Sequence, residues 1–117
     1  MDTMHRFSIG IPLNVSDLNN LESSGLRWEE IRWEDLELTE HDYNMLFDLF
    51  GEFNKAFGIA IDEYEEEVIP ASEMPKAIEL TVEYLKFGSK DRKDAARRLL
   101  GVLNRAHEMS APVLLSF

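Results

Sequence analysis

Carboxylates offer most of the chemistry in this 117-residue sequence, and they gather in two short segments. Residues 62–67 place five carboxylates around one tyrosine, and residues 28–35 place four around two tryptophans. Such a composition suits a cationic partner, because the charges steer association and a ring supplies an anchor. The predicted partner-contact residues are Asp62, Glu63, Tyr64, Glu65, Glu66 and Glu67, followed by Trp28, Glu29, Glu30, Trp33, Glu34 and Asp35.

The same residues have a plainer interpretation, which the sequence leaves open. An acidic run is often a solvated loop that only keeps a protein soluble. If the segment around Trp28 and Trp33 is a strand, one or both tryptophans belong to the core. The acidic segments are therefore candidates for a binding surface and equally for a charged coat.

The charge balance restricts the class of partner. The sequence has 12 Lys and Arg against 23 Asp and Glu, which gives a net charge of −11. Residues 1–70 hold 17 acidic and 4 basic side chains, whereas residues 71–117 hold 6 and 8. A net acidic surface argues against nucleic acid and against anionic membranes as partners. The expected partner is a basic protein.

Signatures of catalysis and cofactor binding are missing from the sequence. There is no cysteine, and the three histidines, His5, His41 and His107, have no metal-ligand spacing. The run from Asp62 to Glu67 lacks the glycine and the alternating ligands of a calcium loop. We therefore predict no cofactor, no metal and no enzymatic activity. A metal-dependent hydrolase that uses the acidic cluster, and a structural or adaptor module, remain the alternatives.

Two stretches of alternating apolar residues predict strands near the two ends of the sequence. One contains Phe7, Ile9, Ile11 and Leu13, and the other contains Val113, Leu115 and Phe117. A strand at the C-terminal end is ordered only when it is paired, so we expect the two strands to lie in one sheet, where side-by-side pairing is one option. Residues 26–38 favour a bulged strand or two short strands, and residues 59–61 favour another short strand.

Three segments with helical periodicity predict helices over about 40–57, 73–87 and 90–109. The expected N-caps are Thr39, with Asp42 at the third helical position, then Ser72 and Ser89. Gly58 is expected to end the first helix, and Gly51 and Gly101 are expected to allow close helix packing.

The last helix is the basic one, with Lys90, Arg92, Lys93, Arg97, Arg98 and Arg105. We expect these side chains to face solvent and partly to pair with Asp91, Asp94 or the acidic half of the molecule. Asp94 and Arg98 have the favourable i,i+4 spacing. Together, the elements predict one α+β domain over residues 1–117, with a small sheet that includes the N- and C-terminal strands, packed against about three helices.

The segment from Gly58 to Leu85, GIAIDEYEEEVIPASEMPKAIELTVEYL, resembles the small acidic immunity proteins of bacterial toxin–immunity systems. It is about a quarter of the chain. The resemblance implies a cytoplasmic, non-enzymatic inhibitor that covers the site of a cognate basic toxin, often a nuclease. The N-terminal residues lack a signal-peptide pattern, and no apolar run is long enough to span a membrane, which agrees with a cytoplasmic location.

Overall fold

The computed structural model describes residues 7–12, 33–62 and 66–117. Within these residues, four strands and three helices follow one another. They are β1 (Phe7–Pro12), β2 (Trp33–Leu38), α1 (Glu40–Phe57), β3 (Glu66–Ile69), α2 (Met74–Tyr84), α3 (Lys90–Glu108) and β4 (Val113–Ser116). A short 3-10 turn, Ala71–Glu73, leads into α2.

The four strands form one antiparallel sheet in the order β2-β1-β4-β3. The first and last strands are neighbours at its centre, where Ser8 lies opposite Ser116 and Ile9 opposite Leu115. This confirms the expectation that the two strands lie in one sheet. The sheet packs against three helices, so the predicted α+β class is also confirmed.

Alternation along the strands separates the sheet into two faces. The inner face, toward the helices, contains the buried Phe7, Ile9 and Ile11 of β1. Residues paired across the ladder share a face, which places Leu38, Leu115 and Ile69 there as well. The outer face carries the alternate residues of every strand.

Phe117 joins the sheet to α1 through an aromatic cluster. Its ring centroid lies 5.0 Å from that of Phe50, 5.2 Å from that of Tyr43 and 6.1 Å from that of Phe7. Phe7 and Tyr43 stack at 4.8 Å. Aromatic pairs at these separations add to the free energy gained by burial alone.

Helix α1 has the bounds that its sequence predicts, because both of its ends carry specific capping residues. The Thr39 hydroxyl accepts from the Asp42 N–H at 3.0 Å, and the Asp42 carboxylate accepts from the Thr39 N–H at 3.1 Å. This is a reciprocal capping box. Gly58 ends the helix with φ at 65°, a left-handed conformation that glycine adopts without a steric penalty.

The predicted strand at residues 59–61 is wrong, and the strand in this region is β3. The backbone of Ile61 is satisfied by a side chain of α1 and not by a neighbouring strand. Its N–H donates to Asn54 Oδ1 at 2.6 Å, and its carbonyl accepts from Asn54 Nδ2 at 3.3 Å. A side-chain amide thus supplies the hydrogen bonds that a ladder would have provided.

Helix α2 begins at Met74, within one residue of its predicted start, but the predicted cap is wrong. Ser72 lies inside the 3-10 turn, and no side-chain hydrogen bond caps the helix that follows. Pro75 is in the first turn of α2, where its missing N–H costs nothing. The helix ends at Tyr84, three residues before the predicted end. Helix α3 begins after Ser89, whose hydroxyl caps it as expected.

Gly51 and Gly101 do not mediate close packing of helices, contrary to expectation. A Cβ atom built at either position meets nothing within 4 Å. The small residues buried in α2 and α3 are alanines instead, namely Ala77, Ala95, Ala96 and Ala106. The two glycines therefore destabilise their helices, and no closer packing against a neighbouring element compensates for this.

Replacing Phe117 with alanine tests the aromatic cluster. Phe117 is 3% exposed, so Phe117→Ala should lower the free energy of unfolding by about 3–5 kcal/mol. Phe87→Ala is the matched control, since Phe87 is 70% exposed and should change stability by no more than about 0.5 kcal/mol. Urea denaturation measures both, and equal losses would contradict the role given to the cluster.

Alanine at each helical glycine should be stabilising. Because the added methyl group meets open space, Gly51→Ala and Gly101→Ala should each raise the free energy of unfolding by about 0.5–1 kcal/mol. Thermal and urea denaturation measure the change. A loss of stability at either position would mean that the glycine has a packing role after all.

Candidate functional site

The described basic side chains all lie outside the sheet, whereas carboxylates occur both in the sheet and in the helices. The four strands contain five carboxylates and no basic residue. All five are in the edge strands, β2 and β3, whereas β1 and β4 carry no charge. In the described part of the chain, every Lys and Arg lies in a helix or, for Lys86, in the α2–α3 loop.

The two acidic segments predicted from the sequence do not form one cluster. Glu34 and Asp35 are in β2, as is Trp33, while Glu66 and Glu67 are in β3 and Asp62 precedes it. These strands are opposite edges of the sheet, three inter-strand spacings or about 14 Å apart. The other predicted contact residues lie outside the described residues: Trp28, Glu29, Glu30, Glu63, Tyr64 and Glu65.

Strand alternation divides the five carboxylates between the two faces. Glu34 and Glu67 belong to the inner face, because they lie opposite Ile11 and Leu115. Both are engaged: Glu34 accepts from Arg105 of α3, and Glu67 Oε1 accepts from the Ala60 N–H at 3.3 Å. The inner carboxylates therefore help to hold the edges of the sheet onto neighbouring structure.

The outer face carries the remaining three carboxylates, Asp35, Glu37 and Glu66, and all three are exposed. Between them lies an uncharged centre, of which Ser8, Gly10, Leu114, Ser116 and Val68 form part. Gly10 is buried and the other four are half-buried. We call the three carboxylates and these five central residues together the outer sheet face. An uncharged centre with a charged rim is the anatomy of many protein–protein interfaces.

Glu37 is a candidate contact that the sequence interpretation missed. It follows Asp35 by two residues in a strand, so both side chains lie on one face. The period-two spacing in WEDLEL was the signal that could have identified it. Partial desolvation, and then the charge of Glu37, raise the pKa of Asp35. A cation placed between the two carboxylates would remove this repulsion.

Two arginines of α3 pair with carboxylates of the acidic half of the molecule, as the sequence predicts. Arg98 donates to Asp42 at the start of α1, and Arg105 donates to Glu34. The expected Asp94–Arg98 pair is not formed. Asp94 contacts Arg97 at 3.0 Å instead, because Arg98 reaches a carboxylate on another helix. Arg92 lies over the Tyr84 ring, 3.6 Å from its centroid.

Asp42 is the most enclosed of these carboxylates, with 7% of its surface exposed. Burial alone would raise its pKa, but the hydrogen bonds from Arg98 and Thr39 outweigh burial and lower the pKa below the usual 3.8. The pair links the N-terminus of α1 to α3, so it stabilises the helix layer beneath the sheet. Its position in the structure gives it no access to the outer sheet face.

Other chemistry was sought in the same residues. Within 7–12, 33–62 and 66–117, no three His, Asp or Glu side chains are grouped to hold a metal ion. His41 Nε2 lies 3.0 Å from Asp91 Oδ2, and both side chains are exposed. No helix in the described part of the chain has the length and apolar character needed to cross a membrane.

The fold and the site together define a small α+β protein with acidic sheet edges and a basic helix. No protein-family model matches the sequence, and comparisons with curated proteins and with solved structures find no match. The argument for function therefore depends on the geometry and charge of the chain itself.

Removing the charge of Asp42 should change how stability depends on pH. A carboxyl whose pKa is lowered by folding stabilises the fold above its unfolded pKa, and this stability is lost as the pH falls below about 3.8. Asp42→Asn should therefore reduce the free energy of unfolding at pH 7 and much less at pH 3. Urea denaturation at the two pH values measures the difference, and an equal loss at both would contradict the assignment.

Proposed function

We propose that this chain is a non-enzymatic, cytoplasmic inhibitor that binds a basic protein through its outer sheet face, in the manner of bacterial immunity proteins. The partner would be a toxin domain with a cationic active-site cleft. The supporting observation is that the four described strands carry no basic residue, and that their three exposed outer carboxylates flank an uncharged centre.

The outer sheet face has the features that allow tight docking at low desolvation cost. The half-buried part of its centre contains serine, leucine and valine, so a partner can displace water there without burying an unpaired charge. The carboxylates stay at the rim, where they contribute complementarity and association rate. Two edges of like charge fit a concave basic surface, which offers cations on both sides of a docked sheet.

The charge of helix α3 supports the same orientation. Helix α3 carries six basic and three acidic residues, and it packs on the side of the sheet away from the outer face. The molecule therefore has a negative side and a less negative side. In the field of a basic cleft such a molecule is turned with its sheet toward the cleft, which raises the rate of productive encounter.

Inhibition would follow by competition. A cleft that binds the phosphates of nucleic acid presents Lys and Arg side chains, and carboxylates can occupy those positions. Once the sheet covers the cleft, substrate cannot enter. No catalytic residue of this chain is needed, and none of the described His, Asp or Glu groups forms a metal site.

Charge reversal on the outer sheet face should slow association. The triple variant Asp35→Lys, Glu37→Lys, Glu66→Lys should lower the association rate constant at least about tenfold at low ionic strength. The partner is the basic protein that the wild-type chain captures from its own cells at low salt, identified and purified before the measurement. Stopped-flow mixing gives the rate, and the difference should shrink toward 0.5 M salt, roughly, as the charges are screened.

A matched triple variant separates this face from net charge. Glu52→Lys, Glu79→Lys, Glu108→Lys changes the net charge equally but on exposed helix positions. It should retain the association rate within about threefold, because these positions are on the helices and not on the outer sheet face. The exposed ion pairs that it breaks contribute little to stability. Equal slowing by both variants, a salt-independent rate, or capture of no basic protein would each contradict the proposal.

A further inference from the structure

Two carboxylates of the outer sheet face, Asp35 of β2 and Glu66 of β3, have no ion pair or side-chain hydrogen bond with any described residue. Both side chains are exposed. The other carboxylates of the strands differ, because Glu34 and Glu67 bind groups of the same molecule and Glu37 has an interaction of its own. The unengaged charge of the outer sheet face therefore lies at two separate points, one on each edge strand.

The strand register places these two points at opposite corners of the face. Glu66 lies opposite Ser116, which lies opposite Ser8. Asp35 lies opposite Gly10, two residues further along β1 than Ser8. Three inter-strand spacings measure about 14 Å, and two residues along a strand add about 7 Å in the other direction. The line from Asp35 to Glu66 is therefore about 16 Å long and runs across the strands, not along them.

The surface between the two corners is uncharged and has two different sides. Ser8 and Ser116 are paired on one side of the line, and Leu114 and Val68 are paired on the other. All four are half-buried, so a partner can cover their remaining surface without desolvating a charge. A segment that lies on the line thus meets hydroxyl groups on one flank, aliphatic groups on the other and a carboxylate at each end.

A helix suits this line better than an extended segment. A segment that crosses the strands cannot join their ladder, so its backbone must find hydrogen bonds elsewhere. An extended segment would leave N–H and C=O groups unpaired over Leu114 and Val68, whereas a helix satisfies them internally. A helix is about 10 Å wide and covers both sides of the line. Helical residues eleven positions apart share one face and are about 16.5 Å apart, which matches the two corners.

We propose that the outer sheet face receives a basic amphipathic helix of the partner, which lies across the strands. Two Lys or Arg residues of that helix, about eleven positions apart, contact Asp35 and Glu66. Aliphatic residues between them cover Leu114 and Val68. This inference deepens the proposed function and rests on it for the identity of the partner.

A pair of synthetic peptides tests the spacing directly. Both are alanine-rich helices of about 18 residues, with two leucines and two arginines each. In the matched peptide the arginines are eleven residues apart on one face, and in the control peptide they are nine residues apart on opposite faces. In ¹⁵N NMR titrations at low salt, the matched peptide should saturably shift the amide signals of Ser8, Val68 and Leu114. It should bind at least about fivefold more tightly than the control peptide.

Neutral variants of the two corners test which carboxylates hold the helix. Asp35→Asn and Glu66→Gln should each weaken the matched peptide about threefold, and in the double variant the two peptides should bind equally. Glu108→Gln is the matched control, because it removes an exposed charge at the end of α3 and should leave the preference unchanged. Equal binding of the two peptides to the wild type, equal weakening by all three single variants, or no saturable shifts on the outer sheet face would overturn the inference.

The captured partner distinguishes failure of the helix from failure of the proposed function. Hydrogen exchange on the complex should show that the partner segment protected by the outer sheet face is a helix. If charge reversal slows association but the protected segment is a loop or a strand, the helix is refuted and the inhibitor proposal stands. If the two peptides differ as expected but no basic protein associates with the chain, the helix-binding face stands and the inhibitor proposal fails.

Discussion

The pairing of β1 with β4 is the contact on which the remaining architecture depends. These two strands carry no charge, and their inner face supplies Phe7, Ile9, Val113 and Leu115 to the core. Their union at the centre of the sheet leaves β2 and β3 as the edges. Every carboxylate of the sheet is consequently at a margin, where water or a partner can solvate it. The charge pattern of the surface is thus a result of which strands pair in the middle.

An acidic edge has a structural use as well as a possible functional one. Unpaired strand edges invite association with other strands, and charges on an edge oppose it. Glu34 and Glu67 turn inward at the two margins and are bound there by Arg105 and by the Ala60 N–H. These two carboxylates belong to the fold. Asp35, Glu37 and Glu66 are the outward-facing carboxylates of the four strands. The plain interpretation accounts for the inward pair, whereas the proposed function rests on the outward three.

Much of the fold could be predicted because its signals are local. Both ends of α1 are fixed by local signals, namely the capping box of Thr39 and Asp42 and the left-handed Gly58. The central strands are predicted by their alternating apolar residues. The failures concern partners that are distant in sequence. The side chain of Asn54 satisfies the backbone of Ile61, where a strand was predicted. Arg98 pairs with Asp42 and not with the predicted Asp94, which pairs with Arg97. The site shows the same limit: composition identified Asp35 and Glu66 as candidates, but only strand order places them at opposite edges.

The central ladder also sets the order of events during synthesis. Ser8 and Ser116 face each other across the middle of the sheet, although 108 residues separate them in sequence. Contacts of such long range are slow to form, whereas helices and the β1–β2 pair close over shorter distances. Until β4 has left the ribosome, the inner edge of β1 is open and its apolar face is uncovered. The carboxylates of β2 are synthesised before β4, and charges on a strand edge oppose pairing with other copies of the same chain during this interval.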